Sequence, residues 1–308
     1  MKETTNTNKE KKKKKKKKSG RSSTILLVVI IIAGLSLLLY PSVSNYWNSL
    51  HASRAIADYV SAVNNLDAEH YTELIRNARK YNEDLASSYF MAKFGLEQRE
   101  AYNAQLNVID TGIMGYIEIK KINCFLPIYH GTSNTVLQIA VGHLENSSLP
   151  VGGKNTHCVL SGHRGLPSAR LFTDLDKMEL GDTFIIQVLN ETLTYQVDQI
   201  RIVLPTQLDE IQLVPQRDYC TLVTCTPYGI NTHRMLVRGH RIDNEEQAME
   251  VRVIGDALRI RPTIVAPILS VPMFITLFIV LNVRSGREKK RRRVMRLEMQ
   301  AQNYTSQS

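Results

Sequence analysis

The pattern of apolar and polar positions divides the chain into three kinds of segment. Two uncharged apolar stretches, 25–40 and 264–283, are near the length needed to cross a bilayer, the first somewhat short and the second about twenty residues. Across 45–100, apolar residues recur at spacings of three and four, which predicts amphipathic helices. From about residue 113 onward, short β-rich runs alternate with turn residues, which predicts strands.

The strand-like part of the chain is dense in short runs. Eight or nine of them fall within about 130 residues, and a single weak helical piece, Leu166–Leu175, interrupts them. That density predicts a mainly β fold with a closed or nearly closed barrel. The runs are Tyr116–Ile119, Phe125–Tyr129, Val136–Ala140, Thr156–Leu160, Phe184–Leu189, Leu193–Val197, Arg201–Leu204, Tyr219–Cys225 and Met235–Arg238.

The formal charge of +10 is concentrated at the two ends of the chain. Residues 1–21 carry eleven Lys/Arg and two Glu, and residues 284–308 carry eight Lys/Arg and two Glu, so the part between them is mildly acidic. Basic tails beside apolar stretches are typical of a membrane protein and argue against a nucleic-acid partner. Because Lys/Arg clusters stay on the cytoplasmic side, both termini are predicted inside and residues 41 to about 260 outside.

Each apolar stretch has an alternative interpretation. The first could be a cleaved signal peptide, but no clear A-x-A cleavage site follows it, which favours an uncleaved signal-anchor. The second could be a buried core helix, but the block of Arg and Lys that follows it argues for a membrane segment. We therefore predict a protein of the cell membrane with two transmembrane segments.

One candidate for chemistry lies in the stretch 221–241. Cys225 ends an apolar run, a loop marked by Pro227 and Gly229 follows, and Arg234 begins the next strand-like run. A hairpin-like return would bring the guanidinium of Arg234 towards the sulfur of Cys225, and a nearby positive charge favours the thiolate. A buried cysteine and a surface arginine would fit these residues as well, and this stretch alone leaves the two interpretations open.

A second candidate is His163, in the stretch Ser161-Gly-His-Arg-Gly165. Two glycines bracket the histidine at the end of a predicted strand, so its ring is expected to be exposed at the strand tip, as Cys225 is. Three other histidines compete with it: His157 lies deeper on the same strand face, His143 follows a glycine in a loop-like stretch, and His233 would point the opposite way from its neighbour Arg234. No C-x-x-C or H-x-x-x-H pair occurs among the candidate ligands, so neither zinc nor another cofactor is predicted.

Together these residues resemble the sortase family. The TLxTC motif Thr221–Cys225, an arginine nine residues later and the Ser161–Gly165 loop 62 residues before the cysteine carry the resemblance. The longer matches Leu166–Asp176 and Thr226–Arg234 are similar to class C, the pilin-polymerising branch. The resemblance implies an eight-stranded β-barrel with short helices, preceded by an α-helical region and flanked by two transmembrane helices.

The resemblance also implies the chemistry of a cysteine transpeptidase. Cys225 would attack the Thr-Gly bond of an LPxTG-like sorting signal and form a thioester. His163 would act as general acid and base, and Arg234 would bind the substrate carbonyl as negative charge develops on it. Arg238 lies on the same strand face about 13 Å deeper, at ~3.3 Å per residue, so Arg234 is preferred. The acceptor would be a lysine side chain of another pilin subunit.

The implied organisation has six parts: a cytoplasmic Lys-rich tail (1–23), a transmembrane signal-anchor (24–40), an extracytoplasmic helical region with a lid-like segment (41–105), the catalytic barrel (106–250), a transmembrane helix (264–283) and a cytoplasmic basic tail (284–308). One feature departs from class C. The usual Asp-Pro-aromatic lid motif is missing, and the corresponding segment Asp84–Tyr102 offers Tyr89, Phe90 and Phe94 instead. Control by a lid is therefore in doubt.

Two alternative functions remain. A housekeeping sortase that attaches surface proteins to a peptidoglycan precursor would use the same three residues. As partners of this chain, the peptidoglycan precursor and a separate housekeeping sortase are also possible. A membrane-tethered β-barrel that only binds other proteins would not need Cys225. Finally, Cys158 and Cys220 each lie five residues before a candidate residue. If their strands are parallel neighbours, the two thiols lie level in the core, and we expect them to be small buried apolar groups.

Overall fold

The computed structural model describes residues 4–88, 96–207 and 209–244. Side chains are described from Val29 onward within these ranges, except at the edges of the first gap. The predicted second membrane segment 264–283, the basic tail 284–308 and the three lid aromatics lie outside the described residues.

Three helices precede the barrel: α1 (Thr4–Asn64), α2 (Ala68–Ser88) and α3 (Leu96–Asn103). Within the described residues, one helical stretch, Val29–Asn64 of α1, is long and apolar enough to cross a membrane. The large apolar side chains of its first part, 29–40, are mostly exposed, with Ile30 at 61% and Leu37 at 78%. Exposed branched side chains on a helix without a protein partner are those that lipid would cover. The predicted first membrane segment therefore coincides with an unburied apolar helix.

Eight strands close into one barrel in the order β1-β2-β3-β4-β7-β8-β6-β5. The eight-stranded barrel expected from the resemblance is confirmed. Closure leaves no unpaired sheet edge. The strands are β1 (Ile113–Ile119), β2 (Cys124–His130), β3 (Val141–His143), β4 (Thr156–Ser161), β5 (Thr183–Val188), β6 (Glu191–Val203), β7 (Asp218–Thr226) and β8 (His233–Ile242).

Three predicted elements differ from the structure. Val136–Ala140 is not a strand: its first two residues belong to the short helix α4 (Asn134–Leu137), whose N-cap Ser133 accepts the Val136 N–H. Leu166–Leu175 is not an α-helix, since it is irregular up to a 3₁₀ turn at Leu175–Lys177. The two runs between residues 193 and 204 form one strand, β6, whose register shifts between Val197 and Gln199.

Two buried polar side chains attach the helices to the barrel. Tyr59 of α1 donates its hydroxyl to the Met114 carbonyl at 3.0 Å and accepts the Leu189 N–H at 2.7 Å. Asn82 of α2 makes a reciprocal pair with the backbone of Leu149, at 3.1 and 2.7 Å. Buried polar groups are stabilising only when satisfied in this way. These contacts fix the helical region against the side of the barrel.

The pairing of β4 with β7 decides where the candidate residues lie. These strands are parallel neighbours, and their last register pair is Ser161 with Val223. Parallel neighbours end at the same edge of a sheet, so the loops that follow β4 and β7 emerge together. Strand β8 then returns antiparallel to β7 and begins at that same edge.

Candidate active site

Three predicted side chains meet at this end of the barrel. Cys225 lies near the end of β7, directly opposite Arg234 in the register of β8. His163 follows β4 by two residues, and the Gly162 N–H donates to the Val223 carbonyl at 3.0 Å, so β4 stays paired to β7 up to the histidine. All three side chains line one cavity of about 280 Å³. Residues that are far apart in the chain are therefore brought together.

Cys225 differs from the other cysteines in its exposure. It is half-buried, whereas Cys124, Cys158 and Cys220 are buried, and all four are free thiols. Burial raises the pKa of the Cys124 thiol to about 12 and that of Cys220 well above its ordinary value. A thiol that is buried in the core cannot reach an external substrate, whichever way its pKa is shifted. Cys225 is thus the cysteine that a substrate can reach.

The imidazole of His163 is held in its neutral form. Burial lowers its pKa, because the charged form loses hydration, and the positive charge of Arg234 lowers that pKa further. A neutral imidazole can accept a proton from a thiol. Across residues 4–88, 96–207 and 209–244, no side chain or carbonyl hydrogen-bonds to the His163 ring. The hydrogen bonds that hold this residue are therefore those of its backbone.

The backbone around His163 is anchored on both sides. The Phe172 N–H donates to the His163 carbonyl at 3.1 Å, and the Thr224 hydroxyl donates to the Gly162 carbonyl at 2.8 Å. Thr224 is buried and immediately precedes Cys225, so one strand end holds both the thiol and the histidine loop. Sequence reasoning did not assign this role to Thr224. The signal that could have revealed it is the second threonine of the TLxTC motif.

Arg234 is positioned by the loop that precedes it. Its Nη1 donates to the carbonyl oxygens of Asn231, at 3.1 Å, and of His233, at 3.0 Å. The other guanidinium N–H groups have no acceptor within the described parts of the chain. They are available to an oxygen that develops negative charge above Cys225, which is the role of an oxyanion donor.

The rival arginine is engaged elsewhere. Arg238 forms two hydrogen bonds with the carboxylate of Asp198, at 2.9 and 3.2 Å, and its guanidinium lies 4.3 Å from the ring centroid of Tyr219. A guanidinium held by a bidentate ion pair and an aromatic face is committed to structure. This geometry is consistent with the preference for Arg234.

Two other histidines have structural partners. His157 is buried between the Gln212 carbonyl, at 2.8 Å from Nδ1, and the Thr221 hydroxyl, at 2.7 Å from Nε2. His143 is buried between the Tyr102 hydroxyl, 2.9 Å from Nδ1, and a backbone carbonyl. Both ring nitrogens are used in each case, so neither ring is free to exchange protons with a substrate.

The thiols of Cys158 and Cys220 are placed as the sequence suggested. They are register partners on β4 and β7, and both are buried. Within the described residues, no group of three or more His, Cys, Asp and Glu side chains is placed to hold a metal ion. We assign no step of chemistry to this pair.

The chain is similar to known proteins in sequence and in fold. Residues 117–242 match the sequence model of the sortase domain. The chain is 55% identical to sortase C1 from Streptococcus agalactiae, with a TM-score of 0.60 over 62% of this chain and 100% of that one. It is 47% identical to Clostridium perfringens sortase C, solved with the C-terminal cell wall sorting motif, with a TM-score of 0.57 over 63% of this chain and 100% of that one.

A curated relative is more distant. Sortase D of Bacillus subtilis is 32% identical over 131 residues, which are 42% of this chain and 63% of that protein. The chain thus spans about three fifths of the length of the first curated relatives it matches.

Proposed function

The chain belongs to the sortase family, and from that premise we propose that it is a membrane-anchored cysteine transpeptidase of the class C type that joins pilin subunits. The observation that carries the proposal is the meeting of Cys225, His163 and Arg234 in one cavity at the end of the barrel. A half-exposed thiol, a neutral imidazole and a guanidinium with free donors are the three groups that acyl transfer through a thioester needs.

The first half of the reaction cleaves a Thr-Gly bond in an LPxTG-like sorting signal. His163 takes the proton of the Cys225 thiol as the sulfur attacks the threonine carbonyl carbon. The carbonyl oxygen becomes an oxyanion, and the free N–H groups of Arg234 stabilise it. When the C–N bond breaks, the imidazolium returns its proton to the glycine amine, and a thioester remains on Cys225.

The second half transfers the acyl group to a lysine of another pilin. The lysine enters as its neutral amine, and His163, neutral again, removes one proton from the nitrogen as it attacks the thioester carbonyl. Arg234 stabilises the second oxyanion in the same way. The Cys225 thiolate leaves and recovers its proton from His163. The product is an isopeptide bond, and every residue returns to its starting state.

The walls of the cavity suit an extended, partly apolar peptide. Val203 ends β6, and Leu204 and Pro205 follow it. Together with Leu137 and Leu144 beside β3, they line the cavity. An apolar cleft with a few polar groups at one end is the usual form of a small binding site. The class C assignment is supported by the sortase C structures above and by the matches at Leu166–Asp176 and Thr226–Arg234.

We place the catalytic barrel outside the membrane. The apolar part of α1 follows a lysine run, and the sequence has a second apolar stretch, 264–283, before the basic tail. With both basic ends on the cytoplasmic side, the barrel lies between two membrane segments on the outer side. Both termini are then cytoplasmic, and the enzyme meets its pilin substrates at the membrane surface.

The test uses the full-length protein in detergent with a pilin that carries an LPxTG-like signal. We expect a ladder of covalent polymers that survives denaturation and is absent with Cys225→Ala. Replacing the acceptor lysine of the pilin by arginine should abolish the ladder. If the sorting signal is cleaved but joined only to a peptidoglycan-precursor amine, the enzyme is of the housekeeping type and the pilin assignment fails.

A further inference from the structure

Arg164 makes a hydrogen bond next to the proposed reacting residues, His163 and Cys225. It directly follows His163, and Thr226 directly follows Cys225. The Nη1 of Arg164 donates to the Thr226 hydroxyl at 3.3 Å, and its Nη2 donates to the Asp176 carboxylate at 2.5 Å. We propose that Arg164 is a positioning residue that fixes the histidine loop to the end of β7. This inference rests on the proposed roles of His163 and Cys225.

A positioning contact is needed because the His163 ring has no orienting partner within the described residues. In many enzymes a third group holds the base in place. Here the hydrogen bonds go to the backbone on each side of the histidine. The Phe172 N–H holds its carbonyl, and the Gly165 N–H donates to the Thr173 hydroxyl at 3.1 Å. Arg164 adds the direct link from this loop to the residue after the nucleophile.

The environment of Arg164 indicates that this residue fixes the position of the histidine loop rather than adding stability. Its side chain is only 11% exposed, and its Nε is buried without a hydrogen-bond acceptor in the described parts of the chain. Burying a guanidinium is costly, and an ion pair seldom repays that cost in stability alone. The planar fork of arginine can reach two acceptors at a fixed angle, which the single ammonium of lysine cannot do. Asp176 supplies the compensating charge.

Neither Arg164 nor Thr226 lines the cavity that holds Cys225. Changes to this contact should therefore alter the approach of His163 to the reacting atoms without weakening peptide binding. A misplacement of about 1 Å in an active site can lower a rate on the order of 100-fold. The expected signature is a fall in kcat with an unchanged KM for the sorting peptide.

The decisive comparison is Thr226→Val against Thr226→Ser in the full-length protein. Valine keeps the shape and β-branching of threonine but removes the acceptor, whereas serine keeps the hydroxyl. We expect Thr226→Val to lower kcat about 10- to 100-fold at unchanged KM, and Thr226→Ser to stay near the wild type. Arg164→Lys should resemble the valine variant, because it keeps the charge and loses the fork.

Arg170→Met is the matched control. Arg170 lies on the same segment and pairs with Asp174, four residues later, but it is 56% exposed. Removing this charge should leave kcat and KM unchanged. Thermal unfolding of each variant shows whether a loss of rate is only a loss of folded protein.

A readout without turnover separates this inference from the proposed function. Amide hydrogen exchange across 162–173 should be faster in Thr226→Val and unchanged in Thr226→Ser. If the wild type forms no acyl-enzyme, the proposed function fails. The hydrogen-exchange rates of the Thr226 variants still test whether the contact of Arg164 with Thr226 holds the histidine loop. If the wild type is active and the valine and serine variants have equal kcat and equal exchange, Arg164 does not position the histidine loop.

Discussion

The tight packing beneath His163 allows a sharp test at Gly162. This glycine is buried at the end of β4, and a Cβ added to it would lie 2.6 Å from Cδ2 and 2.8 Å from Cγ of Phe172. Carbon atoms in contact are normally about 3.5–4.0 Å apart, so the ring would have to retreat by about 1 Å. Phe172 is fully buried in the core, and close-packed protein interiors leave few voids for a displaced ring. The variant Gly162→Ala must therefore displace either the ring or the loop.

The expected size of the effect follows from those contacts. Overpacking a buried site costs about 1–3 kcal/mol of unfolding free energy. The backbone N–H of Phe172 holds the His163 carbonyl at 3.1 Å, so a displaced Phe172 also moves the histidine. A shift of about 1 Å is enough to lower turnover on the order of 100-fold. We expect Gly162→Ala to lose more activity than its loss of stability explains.

The assay pairs urea unfolding with cleavage of a sorting peptide, measured where both proteins are folded. Adding Phe172→Leu to Gly162→Ala should restore part of the lost stability, which a double-mutant cycle measures. Gly181→Ala is the control. Gly181 has a φ of +90° with nothing near its missing Cβ, so this change adds only backbone strain of about 1–2 kcal/mol and leaves kcat unchanged.

Two results would refute this reasoning. Wild-type stability and turnover in Gly162→Ala would mean that Phe172 does not pack on the glycine as described. A cycle with no coupling between the two positions would mean that the loss arises elsewhere in the loop.

Three further predictions concern charge and thiols. Arg234→Gln removes a positive charge beside His163, so the pKa of His163 should rise towards its ordinary value in an NMR titration, and a fall would contradict the assignment. Arg238→Met should lower the unfolding free energy by about 1–2 kcal/mol, since its pair with Asp198 is only partly exposed, while kcat stays unchanged; lost turnover would favour Arg238 as the oxyanion donor. An intact mass without reductant should show four free thiols, and a mass lower by two hydrogens would overturn that.

The edge of the barrel that carries the candidate site was predictable from local sequence. Glycines around His163 and turn residues after Cys225 mark strand ends, and strand ends expose their side chains. Placing both residues at the same edge needs parallel pairing of β4 with β7, a tertiary fact to which the resemblance pointed and which the register shows.

The segments in which the structure differs from the prediction have separate physical causes. The run that was predicted as a strand at Val136–Ala140 is apolar, but the capping side chain of Ser133 selects a helix instead. The true strand after it, β3, has three residues, too few to show any periodicity. At 166–175 the backbone bonds within the segment span three residues, as in turns. The Phe172 N–H donates to the histidine loop, and the backbone of Ser168 and Arg170 bonds to side chains of α1. Tertiary hydrogen bonds overrode a weak local preference for helix.

The contact of Arg164 with Thr226 could not be read from the sequence at all. Its partners are 62 residues apart, and their meeting depends on the closure of the whole barrel. The motifs around His163 and Cys225 show where Arg164 and Thr226 lie in the chain, but not that the two side chains form a hydrogen bond. Such contacts around a reacting pair are found only once the strands are in register.

The most direct test of the account is the mass of the protein after brief incubation with a peptide that contains an LPxTG-like signal. We predict an adduct that equals the peptide up to its threonine, located on Cys225 by fragmentation and released by hydroxylamine as a thioester would be. The adduct should be absent in Cys225→Ala. Cleavage of the peptide that persists in that variant, or an adduct on any other residue, would contradict the assignment of Cys225 as the nucleophile.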